Sequence, residues 1–391
     1  MMKKKILILT GIRAEYGYIK RIVKLIEKSK KLEYVLVVSG THLTKEYGLT
    51  LNDIKKDGFK KVKFVRFKSD PKDSAKWAQV IGKSILEFSR TFEKIKPDLI
   101  LIPGDPWMIF AAAITTTYMK IPIAHIQGGE ISGNVDGIVR HAITKLAHIH
   151  FVANDNAKKI VKQLGEEEFR IFNVGGPMLD EVIHEEKIEP SILAKELGFK
   201  LEKPIIVVLQ HPVSFENKMA KNQIEKTLNV IEKLKIQTII IYPNSEPGSK
   251  DMIRVIEKYR KKDFIQIFPN LSRNKYLSIL KMADILIGNS SSGIIEAPAL
   301  KLAVINVGTR QKGRIRAKNV LDVDYNEKEI LKAIKKILYN KEFKNSVKNC
   351  LSPYGDGKSS EKIVRILEDL EINDSFLNKK FVDKFFHNLR R

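Results

Sequence analysis

The feature that most constrains this chain is a rhythm. Short β-branched apolar runs of four to six residues alternate with amphipathic segments, and the pattern runs through the sequence twice. The first pass predicts strands over 5–10, 34–39, 62–67, 98–103, 122–126 and 149–153. Helices are expected between them over 14–29, 44–56, 76–94, 107–119 and 136–147. Strands this short and this continuously apolar are buried on both faces, as in a parallel sheet covered by helices. A charged, proline-marked stretch near 185–203 interrupts the rhythm, which then restarts. The second pass predicts strands over 205–210, 237–242, 264–268, 285–288 and 303–307, with helices over 223–234, 250–259, 275–282 and 293–300. The expectation is α/β: two doubly wound domains, residues 1–190 and 191–357, with the ligand in the cleft beyond the carboxyl ends of the strands. Residues 358–391 read as helices that close the structure, packing back on the first domain. A length of 391 residues fits two domains at about 100–200 residues each.

The 70 Lys and Arg against 46 Asp and Glu give a net charge of +24. A charge that large raises nucleic-acid binding. The basic residues are scattered, often beside acids, and accompany no helix-turn-helix, zinc-finger or RNA-binding signature, so no nucleic-acid partner is expected. A positive field still favours capture of a phosphorylated small molecule. The single cysteine, Cys350, matches no metal-ligand spacing and fits a reducing compartment. No apolar run approaches the roughly 20 residues of a membrane helix. The Lys3-Lys4-Lys5 start before Ile6–Leu9 imitates a signal peptide, but breaks at Gly11-Ile12-Arg13 without a small-residue cleavage site. A cytoplasmic protein with no membrane partner is expected.

The informative polar residues fall just after predicted strands. The first strand runs into Thr10-Gly11-Ile12-Arg13-Ala14-Glu15-Tyr16-Gly17, where Arg13 is either a surface arginine or a phosphate grip at a helix start. The fourth runs into Pro103-Gly104-Asp105-Pro106, whose acid serves either as a helix N-cap or as a catalytic carboxylate. The fifth runs into His125-Ile126-Gln127-Gly128-Gly129-Glu130, followed by Asp136-Gly137 and Arg140-His141. Glycines allow close approach of a ligand, and Glu130 with Asp136 suits acid/base work. In the second half, Gln210-His211-Pro212 and Tyr242-Pro243-Asn244-Ser245 close two strands, His211 by its position and Asn244 by its amide. Gly288-Asn289-Ser290-Ser291-Ser292-Gly293 places three serines between a strand and a helix, which suits a diphosphate, whereas a cap alone needs one. Glu296 lies one turn further on, where it suits ribose hydroxyls, and Arg310 lies on a basic loop after the next strand. The residues together describe a nucleotide-sugar enzyme.

These motifs, in order from residue 10 to about 320 and together with Gly40-Thr41-His42-Leu43, Arg140–Leu146 and Gly308-Thr309-Arg310-Gln311, resemble the UDP-N-acetylglucosamine 2-epimerases. The resemblance is to the hydrolysing branch, which makes N-acetylmannosamine for sialic- or legionaminic-type sugars. It implies two Rossmann-like domains in a glycosyltransferase-B-type arrangement, a dimer or tetramer, and no metal, nicotinamide or other cofactor. It also implies elimination of the nucleotide diphosphate to a 2-acetamidoglucal, then hydration. Carried over by motif, Asp105, Glu130 and Asp136 form the acid/base set. His211 and Arg13 stabilise the departing diphosphate, Ser290, Ser291 and Ser292 hold its phosphates, and Glu296 takes the ribose. Arg310 supports the nucleotide end, and His42, Arg140 and Asn244 complete the substrate contacts. Two departures stand out: Pro106-Trp107-Met108 where many relatives carry Arg after the Asp, and Gln127 where many carry Glu. The first leaves a GDP-linked substrate as an alternative to a UDP-linked one.

The nearest rival is the non-hydrolysing branch, which re-adds the nucleotide. The Gly-Gly-Glu segment and the 140–146 helix favour hydrolysis. A glycosyltransferase of the same architecture needs an acceptor site, for which only the ambiguous 376–386 segment is available. A binding protein without turnover gains nothing from carboxylates placed beside a diphosphate.

Overall fold

The structure, a computed structural model, describes residues 3–43, 51–67, 74–131, 135–243 and 248–382. The chain divides into two compact units, one of residues 1–181 with 354–391, the other of residues 182–353.

The first unit opens with β1 (Lys4–Thr10), α1 (Arg13–Lys28), β2 (Leu32–Val38), α2 (Leu51–Lys56), β3 (Val62–Phe64), α3 (Ser74–Ile95) and β4 (Leu99–Pro103). It continues with α4 (Trp107–Tyr118), β5 (Ile123–Ile126), α5 (Val135–Leu146), β6 (Ile149–Val152), α6 (Asp155–Gln163), β7 (Ile171–Asn173) and α7 (Met178–His184), which runs into the second unit. Its strands form one parallel sheet in the order β3-β2-β1-β4-β5-β6-β7. Alternate residues of β1 explain its unbroken apolar run: Ile6 and Ile8 join the core under α1, while Leu7 and Leu9 join the core under α3 and α4. Each such side chain contributes about 1.5–3 kcal/mol on burial, so both faces need apolar residues.

The second unit holds α8 (Pro190–Leu197), β8 (Ile206–Leu209), α9 (Ala220–Leu234), β9 (Thr238–Ile241), α10 (Ser249–Glu257), β10 (Ile265–Phe268), α11 (Arg273–Met282) and β11 (Ile285–Gly288). It ends with α12 (Ser291–Ile295), β12 (Ala303–Val307), β13 (Val320–Val323), α13 (Glu327–Tyr339) and α14 (Lys341–Lys348). This sheet is also parallel, in the order β10-β9-β8-β11-β12-β13. The strand order therefore reverses between β1 and β4 in one unit and between β8 and β11 in the other. In open α/β sheets the crevice at such a switch point is where ligands bind. Among the described residues no helix is long and apolar enough to cross a membrane.

The chain then returns to the first unit as α15 (Ser359–Asp369) and α16 (Asp374–Leu377). Ile363, Val364 and Leu367 join the core under α1, and Arg21 pairs with Glu361. The buried Asp180 accepts the Ser359 backbone N–H at 2.9 Å, capping α15 from outside. Beyond α16, the Lys379 ammonium donates to the Lys145 and Ala147 carbonyls at 2.7 and 2.5 Å and pairs with the buried Glu166 at 2.8 Å. It thus caps the carboxyl end of α5.

The structure adds to the sequence reading the helices α6, α7, α8, α13 and α14 and the strands β7 and β13, and it ends β3 at Phe64. β7 and β13 are edge strands of three and four residues, flanked by Arg170 and interrupted by Asp322, so neither makes a continuous apolar run. The helix expected over 293–300 stops at Ile295, three residues before Pro298, whose missing N–H and ring oppose continuation.

Candidate active site

At the first switch point, β1 delivers Thr10-Gly11 and β4 delivers Gly104-Asp105. Ile12 stands at the N-cap of α1 and has no polar side chain to offer its orphan N–H groups. Glu15 replaces it from the first turn: its Oε2 accepts the Gly11 and Ile12 N–H groups at 2.7 and 3.1 Å. Oε1 is buried and has no partner among the described residues. Burial, with the Asp105 charge adding, pushes the Glu15 carboxyl up to about 8. His42 is fully buried, its Nε2 2.9 Å from Thr10 Oγ1, and burial holds it down to about 4. In this structure His42 therefore braces the end of β1.

Asp105 does not act as a side-chain cap on α4; Pro106 holds the N-cap position. Instead Asp105 pairs with Arg140 of α5, and Arg140 Nη1 also donates to the Glu130 carbonyl at 2.8 Å. One guanidinium thus ties the loop after β4 to the loop after β5. Glu130 is oriented from the other side by Asn154, whose Nδ2 donates to Oε1 at 2.7 Å while its Oδ1 caps α6. Behind them, His125 Nε2 donates to the Gly104 carbonyl at 2.8 Å. Burial holds His125 neutral, down to about 3. Beyond Pro106, Trp107 lies edge-on to Phe67 and Trp77 at 5.8 and 5.6 Å.

The turn that carries Glu130 needs its glycines. Gln127 already has φ of 66°, and Gly129 follows at φ of 79° with its Cα so close to α6 that a Cβ would lie 2.4 Å from the Ala157 carbonyl. Any side chain there would push Glu130 away from Asn154.

Of the other expected residues in this unit, Arg13 opens α1 and Asp136 lies in the first turn of α5. Their side chains fall outside the described ones.

At the second switch point, β8 delivers Gln210-His211 and β11 delivers Gly288-Asn289. A Cβ on Gly288 would lie 2.1 Å from the Leu209 carbonyl, so the two strands approach as only glycine allows. Asn289, fully buried, clasps the neighbouring strand end: Oδ1 accepts the His211 N–H at 2.6 Å and Nδ2 donates to the His211 carbonyl at 2.8 Å. Arg310 Nη1 and Gln311 Nε2 both reach the Asn289 carbonyl, at 3.3 and 2.8 Å. Burial, then the Arg310 charge, holds the His211 imidazole down to about 3. A neutral ring offers a hydrogen bond rather than a full charge.

Ser290 caps α12, accepting the Ser292 N–H at 3.3 Å, and Ser291 and Ser292 follow it, all three half-buried. Ser292 Oγ donates to Glu296, whose other carboxylate oxygen pairs with Arg273 of α11. Asn244 lies outside the described residues.

Of the residues that sequence reasoning singled out, the structure brings Asp105, Glu130 and Arg140 together and joins His211 with Arg310 through Asn289. Ser290, Ser291, Ser292 and Glu296 lie along α12 and its two caps, where Ser292 meets Glu296. Sequence reasoning gave no role to Glu15, Asn154 or Arg273. Asn154 was readable as a polar cap after a strand; Arg273, in a Ser-Arg-Asn-Lys run, carries no such signal. Among the described residues no group of His, Cys, Asp and Glu is placed to hold a metal ion.

The profile of the UDP-N-acetylglucosamine 2-epimerase family matches residues 24–368. The chain is 37% identical over 378 residues to the UDP-N,N'-diacetylbacillosamine 2-epimerase (hydrolyzing) of Legionella pneumophila, covering 97% of this chain and 99% of that protein. It is 34% identical over 388 residues to the GDP/UDP-N,N'-diacetylbacillosamine 2-epimerase (hydrolyzing) of Campylobacter jejuni, covering 98% and 100%. The solved UDP-GlcNAc 2-epimerase of Neisseria meningitidis, bound to UDP-GlcNAc, superposes with a TM-score of 0.78 at 18% identity, covering 94% of this chain and 100% of that one. At that identity the likeness establishes the fold, two Rossmann-like domains of the glycosyltransferase-B type.

Proposed function

The chain belongs to the UDP-N-acetylglucosamine 2-epimerase family and is a hydrolysing 2-epimerase; from that premise we propose how its residues divide the reaction. The substrate is a nucleotide diphosphate linked to C1 of a 2-acetamido sugar. A carboxylate removes the proton at C2 while the C1–O bond breaks, the bonding pair leaving with the diphosphate. Water then adds across the C1–C2 double bond of the 2-acetamidoglucal, placing hydroxyl on C1 and a proton on C2 with inverted configuration. The free 2-epimeric sugar and the nucleoside diphosphate are released. With UDP-N-acetylglucosamine the products are N-acetylmannosamine and UDP, and such a sugar suits sialic- or legionaminic-type biosynthesis.

The observation that carries the division is the Arg140 tie between Asp105 and the Glu130 loop. Abstraction at C2 and protonation of the glucal both need carboxyl groups fixed relative to one sugar, because that hydrogen is weakly acidic and the geometry tolerates little slack. Asp105, Glu130 and Asp136 supply them as one acid/base set. His42 and Arg140 support the sugar side. His211 and Arg13 hydrogen-bond the diphosphate as its charge grows. Ser290, Ser291 and Ser292 hold its phosphates, Glu296 accepts from the ribose, and Arg310 and Asn244 complete the nucleotide contacts. A cytoplasmic homo-oligomer, dimer or tetramer, belongs to the same reading, and light scattering reads the oligomer directly.

A second reading concerns the sugar and the nucleotide. Two relatives above 30% identity are named for N,N'-diacetylbacillosamine, one of them with GDP or UDP. Proton NMR in D2O, run with UDP-N-acetylglucosamine, GDP-N-acetylglucosamine and UDP-N,N'-diacetylbacillosamine, separates these. The reading expects a free sugar, inverted and deuterated at C2, from at least one of them. The substrate consumed fastest names the preferred sugar, and the two N-acetylglucosamine donors compare UDP with GDP. A sugar that stays linked to its nucleotide, or no turnover of any of the three, would sink the proposal.

A further inference from the structure

Glu296 is 6% exposed, yet its carboxylate is held from two directions. One oxygen pairs with the guanidinium of Arg273, the first residue of α11, and the other accepts from Ser292 Oγ in the first turn of α12. A buried carboxylate is costly without a partner, and the Arg273 charge offsets that cost. A carboxylate has about four acceptor positions. Each oxygen thus has one of these donors and keeps a further acceptor position, and the two donors restrict rotation of the carboxylate. Two adjacent acceptors at fixed spacing match the vicinal 2′- and 3′-hydroxyls of a ribose.

We propose that Arg273 is a positioning residue for ribose recognition: its ion pair holds the Glu296 carboxylate in the orientation that accepts both hydroxyls. The inference rests on the reading of Glu296 given above and adds the residue that makes it selective. Lysine is a poor substitute: the guanidinium is planar and donates to Glu296 Oε1 along a direction set by its plane, whereas an ammonium is a point charge on a flexible stem. The competing account is that the pair merely pins α11 to α12. That account lowers stability on substitution but leaves the discrimination between nucleotides unchanged.

The test is calorimetric titration of the full chain with UDP and with 2′-deoxyuridine 5′-diphosphate, for the wild type, Arg273→Met and Arg273→Lys. The wild type is expected to prefer UDP by about tenfold, the size of a hydrogen bond to a charged group. In Arg273→Met the preference should fall to near unity while affinity for the deoxy nucleotide barely changes, and in Arg273→Lys it should fall partway. A wild type without preference removes Glu296 from the ribose, and this inference with it. A wild-type preference kept in full by both variants overturns the role of Arg273 and leaves that of Glu296 standing. Should Arg273→Met fail to fold, the ratio in Arg273→Lys decides on the same terms.

Discussion

Arg140 and Asp105, 35 residues apart in sequence, form an ion pair with side chains only 9% and 16% exposed. The same guanidinium holds the Glu130 carbonyl, so a single side chain sets the spacing of two loops that carry acids. Arg140→Lys keeps the charge and loses the fork. Turnover should fall by about a hundredfold or more, as misplacement near 1 Å does, while UDP affinity changes by no more than a few-fold. Steady-state kinetics with calorimetry reads both. A variant with nearly native kcat would show that the two loops keep their places without Arg140.

Glu130→Gln keeps the Asn154 contact, because an amide oxygen still accepts from Nδ2. The fold should survive and turnover should be lost, with nucleotide binding within a few-fold, since the role proposed for the carboxylate is on the sugar. Unchanged activity would remove Glu130 from the acid/base set. Asn154→Ala, by contrast, should slow turnover and also cost about 1 kcal/mol of stability through the lost α6 cap.

Glu15 makes the native state depend on pH in an unusual direction. Its carboxyl keeps a proton up to about 8, whereas the ordinary value is 4.5. Between those values the native chain holds a proton that the unfolded chain has released. The contribution is complete below about 4.5 and is lost as pH rises through about 8. Melting temperatures measured across that window should decline less steeply in Glu15→Gln than in the wild type. Parallel slopes would mean that Glu15 ionises normally in the fold.

Lys379→Met leaves the last carbonyls of α5 without their donor and Glu166 with only Lys145 and His150. The expected loss is about 1–3 kcal/mol in the first unit, the cost of orphaned buried acceptors. Urea denaturation checks it, and an unchanged midpoint would show that the carboxyl-terminal segment does not brace α5.

The sequence made the two α/β units legible because β1 and β8 each feed two cores, and a strand buried on both faces leaves an unbroken apolar signature. Strand order was not legible, since nothing in Leu99–Pro103 says that it pairs with β1 rather than β3. The site was partly legible for the same physical reason. Asp105, Glu130, His211 and Ser290 sit at strand ends, where apolar runs give way to polar residues. Glu15 and Arg273 act from the first turns of helices, among residues that any surface helix contains, and only tertiary contact distinguishes them. Asn244 and the side chains of Arg13 and Asp136 are read from sequence alone.

The return of α15 to α1 has a consequence for synthesis. Residues 182–353 are contiguous and have their own core, but the first unit is assembled from both ends of the chain. Between the emergence of α1 and that of α15 some 330 residues must be translated, roughly 20–60 seconds at 5–20 residues per second. Throughout that interval Ile22 and Ile26 lack the Ile363, Val364 and Leu367 that later share their core. The nascent protein therefore carries an uncovered apolar surface throughout that interval, and a chain that stops before residue 359 has the unit of residues 182–353 whole and the unit that carries Asp105 and Glu130 open.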